Sequence, residues 1–134
     1  MATVKSRQFS APKSMPGDGR AVYITDTAAN TGALASTDTL EFHIPAGAEV
    51  CDLRIVGTQS SAGASVGYQP AVAGEFTGST AYFGTLTIGT TGVQLLNFKP
   101  VKFEREAKIV ITLAAALAAG ETTVIAGINA NGVK

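Results

Sequence analysis

The stretch of sequence that decides the fold is residues 39–55, TLEFHIPAGAEVCDLRI. Apolar and polar side chains alternate before and after a Pro-Ala-Gly turn at residues 45–47, and a period of two indicates half-buried β-strands. Proline presets φ for a tight turn, and glycine relieves the bend. The stretch therefore predicts two strands joined by a short turn.

The alternation assigns each side chain of the first strand to a face. Leu40, Phe42 and Ile44 are predicted to face the core. Glu41 and His43 are predicted to face solvent, which makes an ordinary solvated side chain the simplest interpretation of the only histidine.

The second strand contains the only cysteine of the chain. Cys51 alternates with Leu53 and Ile55 and is expected to be a small buried hydrophobe, whereas Asp52 and Arg54 are expected to point outward. A single cysteine excludes an internal disulfide framework and a multi-cysteine metal site. A Cys–His site is the weaker alternative, because no further group of such a site is recognisable.

Further period-two segments lie on both sides of this unit. The loops include residues 26–38, and residues 114–119 are expected to form a loop or one helical turn. Because the chain holds about eight short strands and no amphipathic helix, we predict an all-β fold, an antiparallel two-sheet sandwich or jelly roll. The other predicted strands are residues 21–25, 64–69, 81–88, 93–98, 101–103, 108–113 and 121–128.

A length of 134 residues suits a single domain. We assign residues 20–134 to one β-sandwich domain. Residues 1–19 are assigned to an extended N-terminal arm, since Pro12 and Pro16 are incompatible with a regular helix or a central strand.

The proposed arm is basic and the remainder of the chain is acidic, although the formal net charge is zero. A basic arm can bind an acidic neighbouring subunit. We expect Lys5, Arg7, Phe9 and Lys13 to be the partner-binding residues, and deletion of residues 1–16 to weaken assembly while leaving the fold intact. The alternative is a frayed terminus with no role.

No motif of catalysis, cofactor binding or metal binding stands out, so the sequence predicts a protein that is not an enzyme and has no catalytic, cofactor or metal site. The positive charge is too sparse for nucleic-acid binding. The most apolar segment, residues 109–119, is too short for a membrane span, and no secretory signal is visible. Only 15% of the residues are charged, a composition that suits a subunit docked in an assembly.

A resemblance to a known family rests on the general sequence pattern of several segments. The segments are residues 40–55, SVGY at residues 65–68 and AYFG at residues 81–84. Their pattern is similar to that of small phage structural proteins. The body from about Arg20 onward resembles the jelly-roll cement, or decoration, proteins of tailed-phage capsids. No functional residue of that family can be carried over.

The resemblance implies a structural protein of the virion. Such a protein is made in the host cytoplasm and binds the outer capsid surface at junctions between major capsid protein subunits, often as a homo-oligomer, a dimer or trimer. Neither nucleic acid nor a membrane is an expected partner.

Two rival functions use the same framework. A carbohydrate-binding or adhesin module, such as a tail-fibre domain, is favoured if Tyr23, Tyr68 and Tyr82 form a platform for stacking sugars. A small enzyme in a jelly-roll scaffold requires His43 to point into a cavity with carboxylates.

Overall fold

Ten β-strands and no helix make up the part of the chain that the computed structural model describes, residues 3–6 and 21–130. No helix within these residues is long and apolar enough to cross a membrane. The strands are β1 Thr3–Lys5, β2 Ala21–Asn30, β3 Thr39–Ile44, β4 Ala48–Gly57, β5 Ser61–Pro70, β6 Ser79–Ile88, β7 Val93–Leu95, β8 Val101–Lys102, β9 Ala107–Thr112 and β10 Gly120–Ala130.

Two sheets pack face to face. Sheet A has the order β1-β3-β9-β5-β6, and sheet B has the order β2-β10-β4-β7 with β8 also paired to β4. All pairings are antiparallel except that of β1 with β3. Without the short β1 and β8, the eight remaining strands form two four-stranded sheets with the connectivity of a jelly roll. The predicted fold class is confirmed.

The Pro-Ala-Gly turn takes the chain from one sheet to the other, because β3 belongs to sheet A and β4 to sheet B. Gly47 adopts a φ of 90°, a left-handed conformation that glycine tolerates best. Its N–H donates to the Phe103 carbonyl at 2.7 Å, and the Phe103 N–H donates to the Ala48 carbonyl at 2.9 Å. The segment before β9 thus anchors the crossing point.

The core lies between the sheets and consists of the inward faces that the alternation predicted. Leu40, Phe42 and Ile44 of β3 are buried, as are Leu53 and Ile55 of β4. Burying such side chains contributes about 1.5–3 kcal/mol each. Similar apolar residues complete this layer, among them Val50, Val66, Ile88, Ile109, Ile111, Val124 and Ile128.

The prediction that Glu41 and His43 face solvent is wrong, because both are buried. They lie on the outer face of sheet A, but β3 has neighbours on both sides, β1 and β9. The Lys108 Nζ lies 2.9 Å from the Glu41 Oε2, and the Glu106 Oε1 lies 3.6 Å from the His43 Nε2. The Lys108 ammonium group compensates for the desolvation of the Glu41 carboxylate.

The predicted inward position of Cys51 is also wrong. In the pairing of β4 with β10, Val50 faces Ile128 while Asp52 faces Gly127, so Cys51 is an extra residue in the ladder. This bulge moves the alternation by one residue, leaving Val50 and Leu53 buried and Cys51 half-buried.

The N-terminal segment departs from the predicted arm at its first residues. Thr3–Lys5 form β1, in register with Thr39–Glu41, and the Ser6 N–H donates to the Glu41 carbonyl at 2.8 Å. Residues 3–6 therefore belong to the sandwich, so deleting residues 1–16 would remove a strand. Residues 7–19 of the arm lie outside the described residues.

One predicted loop is shorter in the structure, and a second agrees with its prediction. Strand β2 continues to Asn30, so only residues 31–38 remain of the predicted loop at 26–38. Residues 114–119 form a loop, in which Leu117 and Leu34 exchange two backbone hydrogen bonds of 2.8 and 2.9 Å. That bridge explains why the alanine-rich segment is not helical.

A buried carboxylate joins the two sheets along one side of the sandwich. Asp26 of β2 accepts a hydrogen bond from the Ser6 hydroxyl and a 3.3 Å bond from the His43 N–H. Strand β1 ends opposite Glu41 and does not reach His43. The Asp26 carboxylate therefore accepts the hydrogen bond of the His43 N–H in place of a β1 carbonyl.

We expect Asp26→Ala to lower the free energy of unfolding by about 2–3 kcal/mol, because it leaves buried donors without their charged acceptor. Asp38→Ala is the matched control: it removes the acceptor of the Ala35 N–H at an exposed turn, and should cost about 1 kcal/mol or less. Urea unfolding measures both variants. Equal losses would contradict the role assigned to Asp26.

Strand β5 has a glycine whose substitution should be costly. A Cβ on Gly67 would overlap the backbone of Ser79 and Thr80, whereas a Cβ on Gly32 would meet no atom within 4 Å. We expect Gly67→Ala to destabilise the protein by about 2–3 kcal/mol and Gly32→Ala to change stability by less than about 0.5 kcal/mol. Thermal and urea unfolding provide the test, and a tolerated Gly67→Ala would contradict the close approach of β6.

Candidate functional site

Aromatic side chains gather at one end of the sandwich. Tyr68 of β5 is central: its ring centroid lies 5.2 Å from that of Tyr82 and 5.2 Å from that of Phe103, both in edge-to-face geometry. Phe83 and Phe98 extend the cluster, with centroids 4.7 Å apart. Such contacts add about 0.5–1.5 kcal/mol per pair beyond area burial.

A cleft opens beside this cluster between residues 75–77 and residues 101–105. Its volume is about 340 Å³, within the size range of small-molecule sites. Tyr68, Phe76 and Phe103 provide the aromatic part of its wall. The cleft is therefore the candidate functional site.

Backbone hydrogen bonds fix both sides of the cleft. The loop after β5 is attached by the Ala71 N–H, which donates to the Glu106 carbonyl at 3.0 Å. The opposite side contains Phe103, which is bonded to the Gly47–Ala48 turn. Because each attachment joins the cleft to a strand end, its walls are positioned by the sandwich itself.

Four charged side chains surround the aromatic wall. The Arg105 Nη1 lies 3.0 Å from the Glu75 Oε2, and the Lys102 Nζ lies 3.2 Å from the Glu104 Oε1. Two carboxylates thus offset two cations. All four line the cleft, so its rim offers donors and acceptors with no net charge.

The three tyrosines do not form one platform. Tyr68 and Tyr82 contact each other, and the Tyr82 hydroxyl donates to the Lys99 carbonyl at 2.8 Å. Tyr23 lies on β2 opposite Gly127, on sheet B, with 72% of its surface exposed. The aromatic site therefore contains two of the tyrosines and several phenylalanines that the sequence did not single out.

A second surface is the edge strand β2. It pairs with β10 over ten consecutive residue pairs, from Ala21 to Asn30, without a register shift. No strand flanks its other side within residues 3–6 and 21–130. Its one charged residue, Asp26, is buried, while Tyr23, Thr25 and Ala29 are exposed.

The structure does not bring His43 and Cys51 together. His43 lies on β3 in sheet A, and Cys51 lies on β4 in sheet B. The Cys51 thiol instead contacts the Glu49 carbonyl at 3.7 Å and the Asn129 Nδ2 at 3.4 Å. Across residues 3–6 and 21–130, no three His, Cys, Asp or Glu side chains are grouped to hold a metal ion.

Of the predicted arm residues, the structure describes only Lys5, which lies on β1 opposite Glu41. Arg7, Phe9 and Lys13 lie outside the described residues. Their predicted role in binding a partner stays a prediction.

The cleft residues Glu75, Phe76 and Arg105 were missed because they lie in irregular segments without a period. Six phenylalanines and tyrosines within residues 68–103 are a visible signal, but sequence alone does not place them at one end.

No family model matches the chain, and no curated protein matches it. Among solved structures, a carbohydrate-binding module titled "CBM4 structure and function" aligns with a TM-score of 0.42 and 10% identity over 83% of this chain and 79% of that one. PliG, a periplasmic inhibitor of g-type lysozyme, aligns at 0.32 and 11% identity for Aeromonas hydrophila, covering 94% of this chain and 96% of that one. The Salmonella Typhimurium PliG aligns at 0.29 and 10% identity, covering 96% and 98%.

Burial raises the pKa of the Cys51 thiol, and the negative charges of Glu49 and Asp52 raise it further, while the Asn129 hydrogen bond opposes them. Because the thiolate is the reactive form, alkylation by iodoacetamide should reach half its maximal rate at a higher pH than for free cysteine. Glu49→Gln should lower that midpoint by removing a negative charge. A midpoint below that of free cysteine, or an upward shift in Glu49→Gln, would contradict this environment.

Proposed function

We propose that this protein is a non-enzymatic structural protein that binds the outer shell of a tailed phage, at junctions between major capsid protein subunits. The observation that carries the proposal is the edge of β2. This strand is ten residues long and regular, and no charged side chain is exposed along it.

Edge strands of this kind are uncommon in proteins that act alone. An unpaired edge presents backbone N–H and C=O groups to any other strand, and soluble proteins usually protect it with lysine, proline, a bulge or a short length. The other edges of this molecule have such protection: β1 is three residues long and carries Lys5, β7 is three residues long, and β6 is irregular near Gly84. Strand β2 has none of these features.

A strand added to β2 would continue sheet B. Backbone hydrogen bonds would supply affinity, and the exposed Tyr23 ring would supply contact area beside them. The partner is a strand of the major capsid protein, and the low charge of the chain suits a surface that is covered in the assembled particle.

Binding at many equivalent shell positions requires only modest affinity per copy. Neighbouring copies that also contact one another raise the occupancy of the whole lattice. The expected homo-oligomer, a dimer or trimer, fits this arrangement.

The test introduces charge on the β2 edge. We expect Thr25→Lys with Ala29→Lys to abolish co-sedimentation with phage heads that lack this protein, because unpaired lysines oppose strand addition. Thr85→Lys with Thr87→Lys is the matched control, since it adds the same charge to exposed positions of the other long edge strand, β6.

Heads for this assay come from a deletion of the gene in the phage that encodes the chain, and light scattering of the free protein reports its oligomeric state. Retained head binding by the β2 variant would overturn the assigned surface. Absence of the wild-type protein from purified particles would overturn the function.

A further inference from the structure

The cleft at the aromatic end has no role in the proposed shell contact. It is formed by β5, the loop after β5 and residues 101–105, which include β8. In sheet B, β4 and β10 lie between β8 and the edge strand β2. We propose that this cleft binds a neutral saccharide, with one sugar ring against Phe76 and Tyr68 and its hydroxyls bonded to Glu75 and Arg105.

The wall of the cleft suits the apolar side of a sugar. Phe76 is half-buried, and its ring centroid lies 6.3 Å from that of Tyr68 and 6.0 Å from that of Phe103. The neighbouring rings hold Phe76 in place while part of it stays accessible at the cleft. A fixed, partly exposed ring binds a flat, weakly apolar surface at low entropic cost.

The rim suits the hydroxyl groups of the same ligand. The bond between the Arg105 Nη1 and the Glu75 Oε2 orients both groups, while Arg105 keeps further N–H donors and Glu75 keeps a second carboxylate oxygen. Adjacent hydroxyls of a sugar can each donate to a carboxylate and accept from a guanidinium. The ion pair therefore offers both halves of that pattern.

The charge balance of the rim selects a neutral ligand. Glu75 and Glu104 face Arg105 and Lys102, so neither an anionic nor a cationic molecule gains from the site as a whole. An apolar ligand is also disfavoured, because it would desolvate four charged side chains without bonding to them. A neutral molecule with many hydroxyls and an apolar face satisfies all these conditions.

The volume sets the extent of the ligand. About 340 Å³ accommodates one or two sugar rings, and the cleft is open to solvent, so an oligosaccharide can continue beyond it. The ligand is either a free oligosaccharide or a polysaccharide on a cell surface, which present the same chemistry.

Saturation-transfer NMR and calorimetry test the site with the full chain. The probes are neutral gluco-, galacto- and manno-configured tetrasaccharides, with tetragalacturonic acid as the charged comparison. We expect binding of at least one neutral probe and none of the acid. A parallel measurement with purified neutral O-antigen polysaccharide separates the sources: binding of that polysaccharide alone assigns the site to surface glycans, and binding of the tetrasaccharides assigns it to free ones.

Variants locate the binding. Phe76→Ala should weaken it by at least about fivefold through loss of the stacked ring. Arg105→Gln should weaken it too, and this exposed side chain can be changed with little effect on folding. Phe98→Ala is the matched control, because Phe98 is a half-buried ring of the same cluster that does not line the cleft.

The outcomes separate clearly. Loss of binding in Phe76→Ala and Arg105→Gln, with binding kept in Phe98→Ala, supports the site. Binding by none of the neutral saccharides, stronger binding of the acid, or equal binding by Arg105→Gln and the wild type would overturn it. Loss of saccharide binding in the variant with Thr25→Lys and Ala29→Lys would likewise overturn the separation of the two surfaces.

Discussion

The crossing of the chain from one sheet to the other at residues 45–47 is the constraint on which the rest of the structure depends. The strands before and after this turn do not pair with each other; each joins a different sheet, so their apolar faces meet across the core. A hairpin at the same position would have put both strands in one sheet. The left-handed φ of Gly47 and the two hydrogen bonds with Phe103 stabilise the crossing.

The same anchor shapes the aromatic end of the molecule. Phe103 holds the turn through its backbone and contacts Tyr68 through its ring. A single residue thus joins the sheet crossing to the cleft wall. Packing of this kind positions Phe76 at the cleft more rigidly than a free loop would, and a rigid wall reduces the conformational entropy that a protein loses when it binds a ligand. The stability of the fold and the shape of the cleft therefore depend on overlapping contacts.

Strand β2 forms one long side of the sandwich, and its inner and outer edges differ. Along one side, the Asp26 carboxylate joins β2 to β3 and Ser6, which keeps the edges of the two sheets together. The outer edge of β2 nevertheless offers its backbone to a partner, as no strand covers it in the described part of the chain. An edge that is internally braced and externally unprotected suits a protein whose partner supplies the missing strand.

The sequence by itself determined which segments are extended and which face of β3 is apolar, because a period of two is a local property. It also predicted two sheets. Only the tertiary structure decided that His43 is buried, since Asp26 and Glu106 approach it from distant positions in the sequence. It also decided that Cys51 lies in a bulge, since this depends on the register with β10. The cleft, too, was decided by the tertiary structure. Its residues Tyr68, Phe76 and Arg105 lie together only because long-range strand pairing brings separate loops to one end.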